Sequence, residues 1–272
     1  MAELHRPGVP RVMLMCHEGD RVDTQGLTAW IASRMDLVGV IKLREPPSRM
    51  WQRIRREIRR VGFWRFLDVL AFRAYYRLVW ARHDAAWMES EVRRLRERYR
   101  TDPSGVMTLV TEDPNSPAVQ AFLRWMRPDI MLARCKTLLK PEVFGMPAHG
   151  TYVLHPGICP EYRNAHGCFW ALVNRDKQRV GMTLLKVDTG VDTGPMLLQC
   201  SYAYDEVTES HTVMQYRVVT ENLDAIADKL KAAWRGKAEP LPAHKRKSGT
   251  WGQPWLSAYL RWKQAARQEA AR

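Results

Sequence analysis

His155 closes an apolar run, Tyr152-Val153-Leu154, and is followed at once by Pro156-Gly157. Asp188 and Asp192 stand in a Gly/Asp/Thr loop, Asp188-Thr189-Gly190-Val191-Asp192-Thr193-Gly194-Pro195, after a second apolar run over residues 180–187. Strand ends and the loops beyond them are where α/β folds place chemistry, because the sheet fixes the groups while the loop leaves them accessible. A histidine and an aspartate brought together there form an acid–base pair. A plainer reading competes: a hydrogen-bonded structural histidine, with Asp and Gly doing turn chemistry. The residue types alone leave both open. Cys159 and Cys168 flank the stretch and read as packing thiols rather than nucleophiles. His17, after the first apolar run, reads as a solvated turn residue or as a group facing a ligand.

The elements that must position these groups alternate. Residues 11–16 and 37–43 read as strands around a helix over 24–34, whose Leu27, Trp30 and Ile31 recur at helical spacing. Strands follow at 106–110 and 130–133, with a helix over 117–126 that Ser116 can cap. A short helix begins near Lys140, and an amphipathic segment covers 168–173. Beyond the core stretch, 201–205 is strand-like and 209–233 reads as one helix, with Val213, Tyr216, Val219, Leu223, Ile226, Ala227 and Leu230 on its apolar face. A Pro/Lys linker over 240–249 precedes an aromatic tail, Trp251-Gly252-Gln253-Pro254-Trp255, and a polar terminal helix. The order implies an α/β fold with a Rossmann-like, mostly parallel sheet. No GxGxxG fingerprint occurs, which weighs against a dinucleotide site.

At 46% hydrophobic and 26% charged, the 272-residue chain has a globular composition. No apolar run approaches the roughly 18 residues that span a bilayer, and the N-terminus has no signal-type apolar core. The five cysteines are scattered and form no CxxC, which argues against a metal site and a disulfide scaffold and fits a reduced cytoplasm. The net charge of +14 favours anionic partners.

Much of that charge is local. Residues 49–100 hold 15 Arg, no Lys and 6 acidic residues, a net +9, leaving +5 for the rest. Trp51, Ile54, Ile58 and Val61 form one stripe opposite Arg53, Arg56 and Arg60, and an aromatic run with Arg interspersed follows Gly62. Three readings stay open: a surface helix packed on the domain or on another subunit with arginines solvated, an interfacial helix on an anionic membrane, and a nucleic-acid surface. The large apolar face ranks the membrane above nucleic acid, for which no motif is present.

The core stretch resembles the formyltransferase family, which uses 10-formyltetrahydrofolate and includes glycinamide ribonucleotide, methionyl-tRNA and nucleotide-sugar formyltransferases. The resemblance rests on Leu154-His155-Pro156-Gly157, Pro160, Tyr162-Arg163, Gly181-Met182-Thr183 and Val187-Asp188-Thr189-Gly190-Val191-Asp192-Thr193-Gly194-Pro195. It is strong over residues 127–199 and weaker over the first strand and helix. It implies His155 and Asp192 as catalytic groups, with His155 stabilising the oxyanion and Asp192 tuning it. It implies folate binding by Cys135, Lys136, Thr137, Leu138, Asp188, Gly190 and Val191, mostly through backbone, with Asp188 organising its loop. Gly190 and Gly194 would let the backbone approach the folate. Tyr162, Arg163 and Asn164 would meet the acceptor, and no metal is implied. Two departures stand out. Val153 occupies the position of the family's catalytic Asn, and Asn164 stands where Gly is usual after Tyr-Arg. Thr151, Arg163 and Asn164 are the nearest polar residues that could replace the lost amide donor, worth roughly 10²–10³ in rate.

The resemblance therefore implies an N-formyltransferase. Only 73 residues follow Gln199, too few for the C-terminal domain of a methionyl-tRNA formyltransferase. The expected acceptor is an amino sugar, nucleotide- or lipid-linked, whose phosphates the basic surplus suits. A 10-formyltetrahydrofolate hydrolase is one alternative, and a folate- or sugar-binding pseudoenzyme, motivated by Val153, is another. The expected organisation is a catalytic domain over 1–200 with a helical basic insertion over 47–100, and a C-terminal helix and aromatic tail over 201–272 packed on it. A cytoplasmic chain, peripheral on the inner face of a membrane and able to form homo-oligomers, completes the expectation.

Overall fold

A computed structural model describes residues 8–46 and 49–272 of the chain. The side chains of residues 49–53, 56 and 104 lie outside the description, as do residues 47–48. The expected start of the insertion at residue 47, and the side chains of Trp51, Arg53 and Arg56, therefore lie outside the described residues.

The chain opens with β1 (Arg11–His17), a π-helical turn (Val22–Leu27), α1 (Thr28–Arg34) and β2 (Asp36–Leu43). Three helices follow, α2 (Arg49–Val61), α3 (Phe63–Val79) and α4 (Ala81–Tyr99), and then β3 (Thr108–Thr111). The expected helical insertion is thus the crossover between β2 and β3. The fold continues through α5 (Pro117–Met126), β4 (Ile130–Arg134), α6 (Pro141–Phe144), β5 (Gly150–His155), β6 (Arg163–Asn164) and α7 (Gly167–Val173). It closes with β7 (Met182–Lys186), β8 (Met196–Cys200), α8 (His211–Thr220), α9 (Leu223–Trp234), β9 (Thr250–Trp251) and α10 (Leu256–Ala270).

Seven strands form one sheet in the order β3-β2-β1-β4-β5-β7-β8. The five strands from β3 to β5 run parallel, and β7 and β8 are antiparallel additions at one edge. The α/β class and mostly parallel sheet match expectation. Val12 to Cys16 are fully buried, because a central parallel strand is covered on both faces. One face packs on α1, α7, α8, α9 and α10, and the other on α5 and α6. The strand order reverses between β1 and β4, which puts a crevice at the carboxyl ends of β1, β4 and β5.

Three expectations about elements are corrected. The helix expected over 209–233 is two helices, because Asn222 donates its amide to the Val218 carbonyl, 2.8 Å, and so ends α8 before α9 begins. The edge strand is β8 over Met196–Cys200, whereas 201–205 is irregular: the backbone leaves the sheet where Ser201 Oγ donates to Val180 O, 2.6 Å. The terminal helix α10 is amphipathic rather than polar, burying Ala258, Tyr259, Trp262 and Ala266. The same buried cluster contains residues of the sheet, the insertion and α10, so the C-terminal segment shares the core of the sheet.

Candidate active site at the end of β5

β5 pairs in parallel with β4 and antiparallel with β7, so His155 sits opposite Thr183 at the strand's carboxyl end. The loop after β7 folds back so that Asp192 reaches His155. Asp188 makes that return possible: its Oδ1 accepts from Gly190 N at 2.9 Å and from Thr193 Oγ1 at 2.7 Å. A Cβ at Gly190 would lie 2.0 Å from Thr193 Oγ1, and one at Gly194 would lie 1.9 Å from Lys186 O. These glycines let the loop pack on itself, a local reason that precedes any approach to a ligand.

His155 is buried, with Nδ1 3.4 Å from Asp192 Oδ2 and Nε2 2.7 Å from the Tyr162 carbonyl. A carbonyl only accepts, so in this geometry Nε2 carries a hydrogen and donates it. Nδ1 then faces the carboxylate, and a second proton would be shared between His155 and Asp192. Asp192 Oδ2 also accepts from Asn164 N at 2.8 Å. Asn164 has φ +76, in the left-handed region that Gly fills freely and Asn tolerates, which explains Asn in a position where Gly is usual. A Cβ at Gly157 would fall 2.6 Å from both His155 Nε2 and Tyr162 O, so glycine keeps this contact open.

The other expected site residues divide. Tyr162 is buried, its hydroxyl donates to Asp176 Oδ2 at 3.1 Å, and its ring stacks on Trp251; only its carbonyl faces the site. Arg163 donates to Val191 O at 2.9 Å and Thr250 Oγ1 at 3.0 Å, while its buried Nε has no acceptor among the described residues. Asn164 gives its side-chain amide to Trp251 O, and Thr151 gives its hydroxyl to Phe144 O at 2.8 Å. Of Thr151, Arg163 and Asn164, Arg163 keeps a buried donor with no acceptor among the described residues, and exposed Asn164 spends one of its two amide hydrogens on Trp251 O. Val153 shares its strand face with His155 and packs in the apolar cluster around Ala133, Cys135 and Leu139.

The loop after β4 crosses the crevice. Lys136 N donates to His17 Nε2 at 3.3 Å, and Asn115 clamps the loop by donating to Leu138 O and accepting from Lys140 N, 3.0 and 2.7 Å. The Leu138 N–H takes no partner among the described residues, whereas the Thr137 N–H faces the Cys135 sulfur. Leu138 is 54% exposed and Val191, on the facing loop, 38%. Apolar side chains with a free main-chain donor fit a flat heteroaromatic ring that carries acceptors at its edge. The loop's Cys135 donates to Thr137 O at 3.3 Å, and burial pushes its thiol up to about 11. Burial pushes the Cys159 and Cys168 thiols up to about 12, which keeps them inert.

Sequence reading missed the polar cluster beside this site. Arg134 Nε meets both oxygens of Asp23, 3.2 and 3.3 Å, and its Nη1 donates to Leu154 O, 2.9 Å, next to His155. Tyr216 donates to Asp20. Burial pushes the Asp23 carboxyl up and the Arg134 guanidinium opposes it. His166 opens α7 at φ +57 beside Gln215, 3.0 Å from its Nδ1, and burial lowers its pKa to about 4. These pairs span up to 196 residues, so no local spacing reveals them; acidic residues just past β1 were the one available signal.

A doubly wound α/β chain with a His–Asp pair at its switch-point crevice is an architecture shared by many group-transfer enzymes. The family model described as formyl transferase matches residues 89–230, just over half of the chain. The chain is 30% identical over 138 residues to methionyl-tRNA formyltransferase of Caldanaerobacter subterraneus, covering 50% of this chain and 44% of that protein. It is 28% identical over 137 residues to human mitochondrial 10-formyltetrahydrofolate dehydrogenase, covering 50% of this chain and 15% of that protein. The chain thus spans less than half the length of these relatives. Among solved structures, glycinamide ribonucleotide transformylase 1 from Symbiobacterium toebii superposes with TM-score 0.54 at 15% identity, covering 87% of this chain and 96% of that one. A sugar N-formyltransferase from Shewanella gives 0.52 at 12% identity, covering 89% and 76%. At those identities the structural likeness speaks for the fold. The chain belongs to the formyl transferase family.

Proposed function

We propose that this chain transfers a formyl group from 10-formyltetrahydrofolate to a primary amine on an amino sugar. The observation that carries the reading is the His155–Asp192 pair, 3.4 Å apart at the end of β5, in a chain of the formyl transferase family. When bound, the folate supplies an activated formyl carbon. Leu138 and Val191 side chains and the Leu138 main chain would hold its ring. The attacking amine forms the new C–N bond, and its proton must reach the departing nitrogen as the old C–N bond breaks. His155 and Asp192 hold one labile proton between them and pass it along. Because His155 Nε2 is donated to Tyr162 O, the carbonyl oxygen's developing charge falls to another donor. Arg163 Nε, buried and unpaired, takes that part. The Asp23–Arg134 pair, tied to Leu154 O beside His155, and the Tyr216–Asp20 pair would back the acceptor side with charge and hydroxyl groups. Lys136, exposed on the loop above, suits a phosphate on the carrier.

A second reading has its own support. Val153 offers no donor and both His155 ring nitrogens face protein groups, which suits a chain that binds folate without turnover. Single-turnover assay of purified protein with 10-formyltetrahydrofolate and nucleotide-linked amino sugars tests both. Acceptor-dependent tetrahydrofolate release supports transfer, and formate release without acceptor supports hydrolysis. Folate binding with neither product supports the binding protein. Val153→Asn should raise the transfer rate of an active chain by about tenfold or more, given the roughly 10²–10³ such a donor is worth.

A further inference from the structure

We propose that the outer face of α3 docks on an anionic lipid surface. α3 has two apolar faces. Phe66, Val69 and Phe72 are buried, and Phe72 and Tyr76 pack against His211 while Phe72 and Tyr75 pack against Tyr259, which fixes the helix to the body. At 100° per residue the opposite side carries Phe63, Trp64, Leu67, Leu70, Ala71, Ala74 and Leu78, all solvent-exposed. Trp64 is 81% exposed and Leu78 85%. A solvated helix face is expected to be polar, and scattered exposed apolar residues need no explanation, but an unbroken apolar stripe along a 17-residue helix does.

Charge decides between occupants. Arg73 and Arg77 flank the stripe, exposed, and neither has a carboxylate partner among the described residues. Arg55, Arg59 and Arg82 on the neighbouring helices are exposed as well. The 49–100 segment carries +9. A symmetric contact with a second copy would oppose these arginines to one another, whereas an anionic headgroup layer neutralises them. Trp, Phe and Leu on one face with Arg beside them is the composition of a helix lying in a membrane interface. Among the described residues no helix is long and apolar enough to cross a membrane, so the contact lies on the surface. Gly62 sets the exposed end of the stripe: its φ of +80 breaks α2 from α3 and turns Phe63 and Trp64 outward.

The inference stands apart from the catalytic reading, because a chain without formyl transfer would still bind lipid. It is tested by co-sedimentation of the full chain with vesicles of phosphatidylcholine alone and with 30–40% phosphatidylglycerol, a composition of roughly physiological anionic density. Binding to the anionic vesicles is expected to exceed binding to the neutral ones by at least about tenfold and to weaken as salt rises. Leu67→Asp with Leu78→Asp, two exposed positions that leave the core intact, should abolish it while circular dichroism stays native. Arg73→Glu with Arg77→Glu should abolish the anionic preference. No binding to anionic vesicles at low salt overturns the proposal. So does binding untouched by the double Asp variant, or a dimer in sedimentation velocity that this variant dissolves.

Discussion

At the residue scale, two side chains are locked into one pair. Asp192 faces His155 Nδ1 and is itself fixed by Asn164 N. Asp192→Asn keeps the size and removes the charge that shares the proton, so kcat should fall by about 10²–10⁴, the usual span for a general acid–base group, with folate affinity little changed. A tetrahydrofolate-release assay with a parallel folate titration checks this. The thiols beside the site behave oppositely. With Cys159 and Cys168 pushed up to about 12 by burial, native protein at pH 8 should leave both unmodified by iodoacetamide while unfolded protein is alkylated. His155, Asp192 and the Asp188 turn were legible because they lie in one stretch with recognisable loop chemistry. The return of the loop, the Tyr162 carbonyl on Nε2 and the unpaired Arg163 Nε were not, because each depends on backbone meeting side chain across the fold. Tyr162 shows the limit plainly: its place in the motif suggested a substrate contact, whereas its hydroxyl is held by Asp176.

At the element scale, close approach of backbone sets the site. Gly157 and Gly167 lie against each other, and a Cβ at Gly167 would come 2.5 Å from Gly157 Cα. Gly157→Ala should force the β5 end away from Tyr162, costing about 1–3 kcal/mol of stability by denaturant melt, and lowering turnover further than that loss explains. The insertion is tied to the body by polar groups as well as rings. Buried Asp84 accepts from Tyr76 Oη, 2.7 Å, and from Ser210 Oγ, 2.6 Å, joining α3, α4 and the cap of α8. Asp84→Ala strips the buried Ser210 hydroxyl and the half-buried Tyr76 hydroxyl of their acceptor and should cost about 2–4 kcal/mol in the same melt. Helical periodicity exposed the insertion's helices in the sequence. It could not say which of two apolar faces on α3 meets the core, since Phe66 and Leu67 are equally apolar and only the packing partner distinguishes them. The missed break between α8 and α9 has a similar origin: the apolar spacing runs on through Asn222, whose side-chain amide bonds Val218 O and Ser201 O while its N–H turns to Val219 O.

At the scale of the whole molecule, sheet, insertion and C-terminal helix share one buried cluster; His211 packs on its Phe72 and Phe169 rings, and His166 packs on His211. His166 and His211 have ring centroids 5.5 Å apart. Burial first, then the nearby Lys136, lowers His166 to about 4, and burial first, then His166 and Lys263, lowers His211 well below the usual value. Both are held neutral by the fold, so the unfolded chain takes up their protons first. Their contribution is intact above pH 6.5 and is lost as pH falls toward about 4. Urea midpoints for wild type should therefore drop from pH 7 to pH 5 more steeply than for His166→Gln.

Formyl transfer through the His155–Asp192 pair is tested most directly by one assay. Tetrahydrofolate formed from 10-formyltetrahydrofolate is measured with and without an amino-sugar acceptor, for wild type and for Asp192→Asn. Acceptor-dependent release that falls at least about a hundredfold in the variant is the predicted result. Release equal in both proteins, or none from wild type with folate bound, would contradict it.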